Sequence, residues 1–188
     1  MFSLPVNQHL CIVFMHQYFK QDFYQLYISN RAELRLWHNW PKDNLNEEYF
    51  LQLINQSLNE YALGTSLQCA VSFKGQIIGY IGLTKMDYIL GKAELGYWIS
   101  AGYQGRGIMT MVCEKMIEFS FDFLKLNKIE ISLATDNIGS RKICETLQFQ
   151  LEGIQIRAES INGNVVNHAR YFLLRNQYQS IYKNHTLA

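Results

Sequence analysis

The stretch YWISAGYQGRGIM, residues Tyr97–Met109, decides the fold of this chain. Apolar residues run up to Ile99, a glycine-rich turn follows, and a helical stripe begins at Ile108. Glycine allows the sharp turn that joins a strand to a helix and lets a ligand approach the backbone. The first turn of a helix has free N–H groups and the positive end of the helix dipole, so the stretch predicts an anion site beside Arg106. A tight strand-to-helix connection without a ligand is the alternative.

Two common phosphate-binding motifs fit in part but lack required residues. A P-loop requires Lys and then Ser or Thr after its last glycine, where this chain has Ile108 and Met109. A dinucleotide-binding fingerprint requires a third glycine, where this chain has Thr110. The pattern that fits is Gln-x-x-Gly-x-Gly/Ala, through Gln104 and Gly107, with Met109 in the last place.

Hydrophobic periodicity outside this stretch predicts an α/β or α+β domain with a mixed sheet. The predicted elements are strands at Leu10–Met15, Gln68–Phe73, Gln76–Met86, Glu94–Ser100, Lys128–Leu133, Leu151–Ile161 and Val165–Leu174, and helices at 23–37, 50–61, 107–126 and 136–147, the last capped by Asp136. Parallel strands need a crossover, so parallel pairing is expected only around the 107–126 helix. One domain over residues 1–175 and a loose tail over 176–188 are expected.

Composition and charge exclude several classes of function. The 188 residues are 48% hydrophobic, and 17 Lys and Arg face 16 Asp and Glu, which argues against a dedicated nucleic-acid binder. No apolar run is long enough to predict a membrane span. The four cysteines lie far apart without a CxxC pair, and the five histidines show no HExxH spacing, so we expect neither disulfides nor a metal site. A reducing cytoplasm fits this usage.

Blocks of sequence spread along the chain carry a family resemblance. In order they are Ser29–Trp37, Trp40-Pro41, Glu94–Ile99, Gln104–Thr110, Asp136–Arg141, Phe149, Leu151–Gly153, Ala158-Glu159, Asn162-Gly163 and Tyr171. Together they resemble the GNAT N-acetyltransferase superfamily and, within it, the branch of ribosomal-protein-serine N-acetyltransferases. Met109 departs from the general superfamily pattern but is similar to the usual form of this branch.

The resemblance implies a GNAT-like fold, with a mostly antiparallel central sheet flanked by helices, and acetyl-CoA as the acetyl donor. In such folds the Glu94–Ser100 and Lys128–Leu133 strands splay apart and hold CoA between them. The backbone of Trp98 and Ile99 would pair with the pantetheine amides. The residues implied to hold the pyrophosphate are Gln104, Gly105, Arg106, Gly107, Ile108 and Met109. Asn137, which could equally cap a helix, would bind the cofactor, and Arg141 would add positive charge.

The resemblance also implies direct attack of an amine on the thioester, without an acyl-enzyme. Ser140 matches a position that could hydrogen-bond the CoA sulfur, and its alternative is a simple helix-start hydroxyl. Glu159 matches a proposed general base, and its alternative is a solvated carboxylate, while Glu94 is the rival base. The residues expected to line the acceptor pocket are Trp37, Trp40, Glu94 and His168, with a structural role for His168 as the alternative.

The acceptor is expected to be a protein N-terminal α-amine, which a ribosomal protein could supply. An α-amine has a pKa of about 7.7–8.0 and Lys about 10.4, so neutralising the amine at pH 7 costs roughly 1 kcal/mol against about 4.6 kcal/mol for Lys. A weak base such as a partly exposed Glu suits the α-amine better. The alternatives are a small amine (a polyamine, an antibiotic or an amino-sugar) and a non-catalytic CoA-binding partner protein. A homodimer is left open.

Overall fold

A single eight-stranded sheet organises the fold in a computed structural model that describes residues 2–39 and 45–183. The strands are β1 Ser3–Pro5, β2 Leu10–Phe14, β3 Leu67–Phe73, β4 Gln76–Asp87, β5 Lys92–Ile99, β6 Lys128–Ala134, β7 Gln150–Ile161 and β8 Asn164–Leu174. The α-helices are α1 Lys20–Trp37, α2 Glu47–Ala62, α3 Ile108–Asp122, α4 Ile138–Thr146 and α5 Arg175–Tyr178. Short 3₁₀ turns cover Gln17–Phe19 and Ala101–Tyr103, and a π-helical turn covers Gln179–Lys183.

The strand order is β1-β2-β3-β4-β5-β6-β8-β7. Neighbouring strands pair antiparallel except β5 and β6, which are parallel and are connected through α3. This confirms the predicted mixed, mostly antiparallel sheet and the place of its parallel pair. A parallel pair requires the chain to cross from one end of the sheet to the other, and α3 provides that crossing.

The parallel pair separates after three residues. Lys92, Ala93 and Glu94 pair with residues 128–130 of β6, and the pairing ends there. β5 nevertheless continues along β4 as far as Ile99. Within the described ranges, the β6-facing backbone of residues 95–99 is therefore left without a strand partner, and this confirms the predicted splay.

Two apolar cores cover the two faces of the sheet. One contains the buried face of α3, where Ile108, Val112 and Met116 are at most 7% exposed. Their spacing of four residues places them on one side of the helix. The second core joins α1 and α2 to β2–β4. The stripe predicted to reach residue 126 ends early, because α3 stops at Asp122 and Phe123 is exposed.

Three details differ from the sequence expectations. β1 was not expected, since three residues that include Pro5 give little periodicity. The N-cap of α4 is Asn137 rather than Asp136, because the Asn137 side chain accepts the N–H of Ser140 at 3.1 Å. Residues 176–183 are not a loose tail: Tyr178 is 4% exposed and its ring lies 5.2 Å from that of Phe121.

Among residues 2–39 and 45–183, no helix is both long enough and apolar enough to cross a membrane. Trp40, which the sequence places near the acceptor pocket, lies outside these ranges.

Candidate active site

The turn before α3 is shaped by two glycines with left-handed backbone. Gly105 has φ of +70°, and Gly107, the N-cap of α3, has φ of +71°. A Cβ built at either position meets no protein atom within 4 Å, so both glycines border open space. The backbone N–H of Met111 donates to the carbonyl of Gly107 at 3.1 Å and starts the helical ladder. The N–H groups of residues 108–110 precede that ladder and remain available to an anion.

This turn opens into a cavity of about 590 Å³, called here the donor cavity. Of the residues predicted to bind CoA, the cavity is lined by Trp98, Ile99, Gln104, Gly105, Gly107, Ile108, Met109 and Asn137. Arg106 and Arg141 are not among its lining residues. The Arg106 guanidinium lies 5.8 Å from the centre of the Tyr103 ring. Arg141 donates to the hydroxyl of Tyr171 at 3.1 Å and to the carbonyl of Thr135 at 3.2 Å.

A second cavity of about 730 Å³, called here the acceptor cavity, lies over β5, β6 and the β7–β8 hairpin. Strand register puts its polar residues on one face: Glu94 is opposite Glu130, Ala134 is opposite His168, and Glu159 is opposite Val166. Side chains two residues apart on a strand share a face, which adds Ser132 and Arg170. The sheet thus brings the predicted residues Glu94, Glu159 and His168 together.

The two cavities meet. Residues that line both are Trp37, His38, Tyr97, Asn137 and Ser140. Tyr97 donates its hydroxyl to the backbone carbonyl of Ser140 at 3.2 Å, and burial holds the pKa of this phenol well above its ordinary value. Tyr97 therefore stays protonated at neutral pH. A group carried at the end of a ligand in the donor cavity would reach the acceptor cavity at this junction.

The two candidate bases have different partners. Glu159 accepts a hydrogen bond from the Asn39 amide at 3.1 Å through Oε1, and its Oε2 lies 3.3 Å from Nε2 of His168. Glu94 instead pairs with the Lys85 ammonium at 2.8 Å. An incoming amine would have to compete with that ammonium for the Glu94 carboxylate, whereas at Glu159 the contacts are an amide and an imidazole.

Residues 13–150 match the acetyltransferase (GNAT) domain. The chain belongs to the GNAT acetyltransferase family. The match covers most of the chain and confirms the predicted acyltransferase class.

Three relatives of this acetyltransferase carry names of two kinds. It is 28% identical over 180 residues, 95% of this chain and 98% of the other, to "Putative ribosomal N-acetyltransferase YdaF" of Bacillus subtilis (strain 168). It is 24% identical over 160 residues, 85% and 89% of the chains, to the ribosomal-protein-serine acetyltransferase of Escherichia coli (strain K12). The spermidine N(1)-acetyltransferase of the same strain is 25% identical over 158 residues, 82% and 81% of the chains.

A solved structure titled "Crystal structure of Probable acetyltransferase" is 29% identical to this acetyltransferase. It superposes with a TM-score of 0.89 over 94% of this chain and 99% of the other. The resemblance seen in the sequence is therefore confirmed at the level of the fold.

The floor of the acceptor cavity in this acetyltransferase is an ion-pair cluster. Glu130, whose side chain is 11% exposed, lies 2.7 Å from the Lys128 ammonium, 3.4 Å from that of Lys92 and 3.8 Å from the Arg170 guanidinium. Burial alone would raise the pKa of Glu130, but the two lysines outweigh it and leave the pKa below its ordinary value. Glu130 is therefore ionised and already paired. In the described part of the chain, no group of three or more His, Cys, Asp and Glu is arranged to hold a metal ion.

The end of α1 forms the roof of the acceptor cavity. Asn39 donates to the carbonyl of Ser160 at 2.6 Å and accepts the N–H of Asn162 at 2.9 Å, which ties α1 to the β7–β8 turn. Next to it, burial lowers the pKa of His38, although Glu159 opposes this, so the imidazole is neutral at pH 7.

The site residues that sequence reasoning missed are His38, Asn39, Lys85, Lys92, Tyr97, Lys128, Glu130, Ser132 and Arg170. Most of them reach the site through strand register or through the path of α1, and no local motif marks them. Only Tyr97 carried a local signal, because it lies directly before Trp98 in the Tyr97–Met109 stretch.

Proposed function

We propose that this acetyltransferase moves the acetyl group of acetyl-CoA to the N-terminal α-amine of a protein, of the ribosomal-protein type. The observation that carries the proposal is the junction of the two cavities, where Ser140 and Tyr97 line both and Glu159 lies in the acceptor cavity. The names of two relatives, each covering most of this chain, support the ribosomal-protein type.

The donor cavity fits acetyl-CoA on two observations. The turn at Gly105 and Gly107 presents open backbone and unpaired N–H groups, as a pyrophosphate requires. The unpaired edge of β5 after Glu94 offers backbone donors and acceptors to the amides of an extended pantetheine arm, as a neighbouring strand would. Acetyl-CoA then supplies an activated thioester at the junction.

In the proposed reaction, the neutral amine attacks the thioester carbon directly. Glu159 takes the proton from the amine, through one water or directly. Ser140, on the first turn of α4, is within the junction and would hydrogen-bond the sulfur that leaves. Freeing an α-amine at pH 7 costs only roughly 1 kcal/mol, so a partly exposed carboxylate is a sufficient base.

The charge of the acceptor cavity favours a peptide over a polyamine. The relatives named spermidine N(1)-acetyltransferases make a polyamine the second candidate. Spermidine carries two further ammonium groups beyond the one acetylated, and these need unpaired carboxylates. Here Glu94 is paired with Lys85, and Glu130 with Lys92, Lys128 and Arg170. Glu159 alone is free of a cationic Lys or Arg partner among the carboxylates of this cavity, in the part of the chain that the structure describes.

A thiol-release assay tests the proposal. The protein is given acetyl-CoA with peptides that begin with Ser, Ala or Met, with the same peptides blocked at the α-amine, and with spermidine. Turnover is expected with at least one free peptide and with none of the blocked ones. Turnover with spermidine and with none of the peptides would show that the acceptor is a polyamine rather than a protein α-amine. Binding of acetyl-CoA without any turnover would favour the non-catalytic alternative.

The base is tested by paired substitutions. Glu159→Gln is expected to lower kcat by about 10²–10⁴-fold at neutral pH and much less at high pH, where the amine is already neutral. Glu94→Gln is the matched control, because it removes a carboxylate from the same cavity. A pH-rescued defect in Glu94→Gln with a normal Glu159→Gln would assign the base to Glu94 instead.

A further inference from the structure

Glu159 is the end of a chain of contacts across three adjacent strands. Nε2 of His168, on β8, lies 3.3 Å from Oε2 of Glu159, on β7. The other ring nitrogen of His168, Nδ1, lies 3.0 Å from Oγ of Ser132, on β6. The other carboxylate oxygen, Oε1, accepts from Asn39 at 3.1 Å. Each oxygen of the carboxylate and each nitrogen of the ring therefore has a partner.

The chemistry of these partners determines where the imidazole hydrogen sits. A neutral imidazole has one N–H and one lone pair, and its Nε2 faces a carboxylate, which only accepts hydrogen bonds. An N–H is therefore at Nε2, and in the neutral ring Nδ1 presents a lone pair. The Ser132 hydroxyl can donate to that lone pair, because a hydroxyl is both donor and acceptor. The hydroxyl thereby anchors the ring at Nδ1 while Nε2 faces Glu159.

The exposure of the two side chains shows why such support matters. The Glu159 side chain is 39% exposed, and the His168 side chain is only 16% exposed. A glutamate side chain with that much access to water can adopt several rotamers, and holding it in one of them costs conformational entropy. His168 lies between its partners Ser132 on β6 and Glu159 on β7. The less exposed imidazole therefore supplies a donor in a fixed position for the more exposed Glu159 carboxylate.

We propose that His168 is a positioning residue for Glu159, that Ser132 holds the His168 ring in the orientation in which Nε2 donates to Glu159, and that Asn39 holds the other carboxylate oxygen. The inference rests on the proposed function, in which Glu159 takes the proton from the α-amine. The two contacts fix the direction of the carboxylate and leave its remaining lone pairs for the amine. His168 itself need not touch the acceptor.

The experiment compares a deletion with a conservative replacement at each position. Ser132→Ala removes the hydroxyl, and Ser132→Thr keeps it on a β-branched residue that suits a strand. His168→Leu removes the donor, and His168→Gln keeps a side-chain N–H. Ser3→Ala on β1, at the opposite edge of the sheet, is the control for the same chemical change. The measured quantities are kcat, the KM of acetyl-CoA and of the peptide, and the Tm with and without acetyl-CoA.

Ser132→Ala and His168→Leu are expected to lower kcat by about 10- to 100-fold, the scale of a displaced catalytic group, with the KM of acetyl-CoA and its Tm increment unchanged. Ser132→Thr and His168→Gln are expected to recover most of that loss. The Tm readout separates a folding defect from a catalytic one, because a variant that fails to fold loses its Tm increment as well.

Three results would overturn the inference. The first is a Thr or Gln variant as slow as its Ala or Leu partner, because the hydrogen bond would then not be the cause. The second is full kcat in Ser132→Ala and His168→Leu while Glu159→Gln is defective, which removes the positioning role but leaves the base assignment intact. The third is full kcat in Glu159→Gln, which removes the base assignment and this inference with it.

Discussion

Replacement of Gly107 by alanine separates backbone strain from ligand binding. Gly107 has φ of +71°, and an added Cβ meets no protein atom within 4 Å. The cost in the ligand-free protein is therefore only that of a left-handed backbone for an L-residue, about 1–2 kcal/mol. In a domain of this length, each kcal/mol lowers the Tm by about 2–4 °C. We expect the ligand-free Tm to fall by about 2–8 °C.

The added methyl group also projects into the donor cavity, where the pyrophosphate is expected. At a ligand concentration of about 100 Kd, acetyl-CoA stabilises the wild-type fold by about 2.7 kcal/mol, which raises its Tm by about 5–11 °C. A hundredfold weaker Kd at the same concentration leaves about 0.4 kcal/mol, or about 1–2 °C. The rise in Tm on adding acetyl-CoA is therefore expected to fall from about 5–11 °C in the wild type to about 1–2 °C in Gly107→Ala.

Thermal unfolding by differential scanning fluorimetry, with and without acetyl-CoA, measures both effects. Gly102→Ala is the matched control, because Gly102 lies in the same turn, its φ is not positive and its Cβ would also meet open space. It is expected to keep the wild-type Tm and most of the increment. A full acetyl-CoA Tm increment in Gly107→Ala would refute binding of the pyrophosphate by the backbone of this turn. An unchanged ligand-free Tm would refute the backbone strain at Gly107.

Three further predictions concern single side chains. Ser140→Ala is expected to lower kcat by about 10²–10⁴-fold at every pH from about 6 to 9, since a neutral amine does not replace a donor to the thiolate; recovery at high pH in a thiol-release profile would argue against this role. Arg106→Ala is expected to reduce the acetyl-CoA Tm increment less than Gly107→Ala does. The Arg106 guanidinium lies over the ring of Tyr103, and backbone N–H groups of the turn are expected to make most of the contacts with the pyrophosphate. A larger reduction in Arg106→Ala would contradict this. The pKa of Glu130 is lowered in the fold, so its contribution to stability is present above the unfolded pKa and is lost as pH falls through the folded one. Glu130→Gln is therefore expected to cost about 2 kcal/mol in urea unfolding at pH 7 and progressively less as the pH falls below the ordinary range of a Glu carboxyl. A loss that does not change with pH would show that ionisation is not the cause.

The donor half of the site could be predicted from the sequence because its parts are neighbours in the chain. Gly105, Gly107 and the start of α3 lie within a few residues of one another, and glycine placement and helix polarity are local properties. The separation of β5 from β6 was implied by the family resemblance, and the end of pairing after Glu94 agrees with it. The roles of Ser140 and Glu159 also came from the resemblance, because no spacing in the sequence marks either residue.

The acceptor half could not be predicted in the same way, because it depends on strand register and on distant segments. If the register of Gln155 opposite His168 continued along β7, Arg157 would stand opposite Val166. A bulge between Gln155 and Glu159 places Glu159 there instead. Arg157 takes φ of +52° in this bulge, and its N–H donates to the Asn167 side chain at 2.8 Å. The sequence shows a strand at this place, but not the side-chain hydrogen bond that shifts its register.

The sequence by itself therefore determined the fold class, the glycine turn before α3 and the family, since each depends on residue types and on spacings that can be read along the chain. Only the tertiary structure decided which side chains line the acceptor cavity. Asn39 reaches Glu159 across 120 positions of sequence, and Ser132, His168 and Glu159 meet through the pairing of three strands. Such contacts form only when the strands pair in the correct register, because a one-residue change of register turns every side chain of a strand to the opposite face.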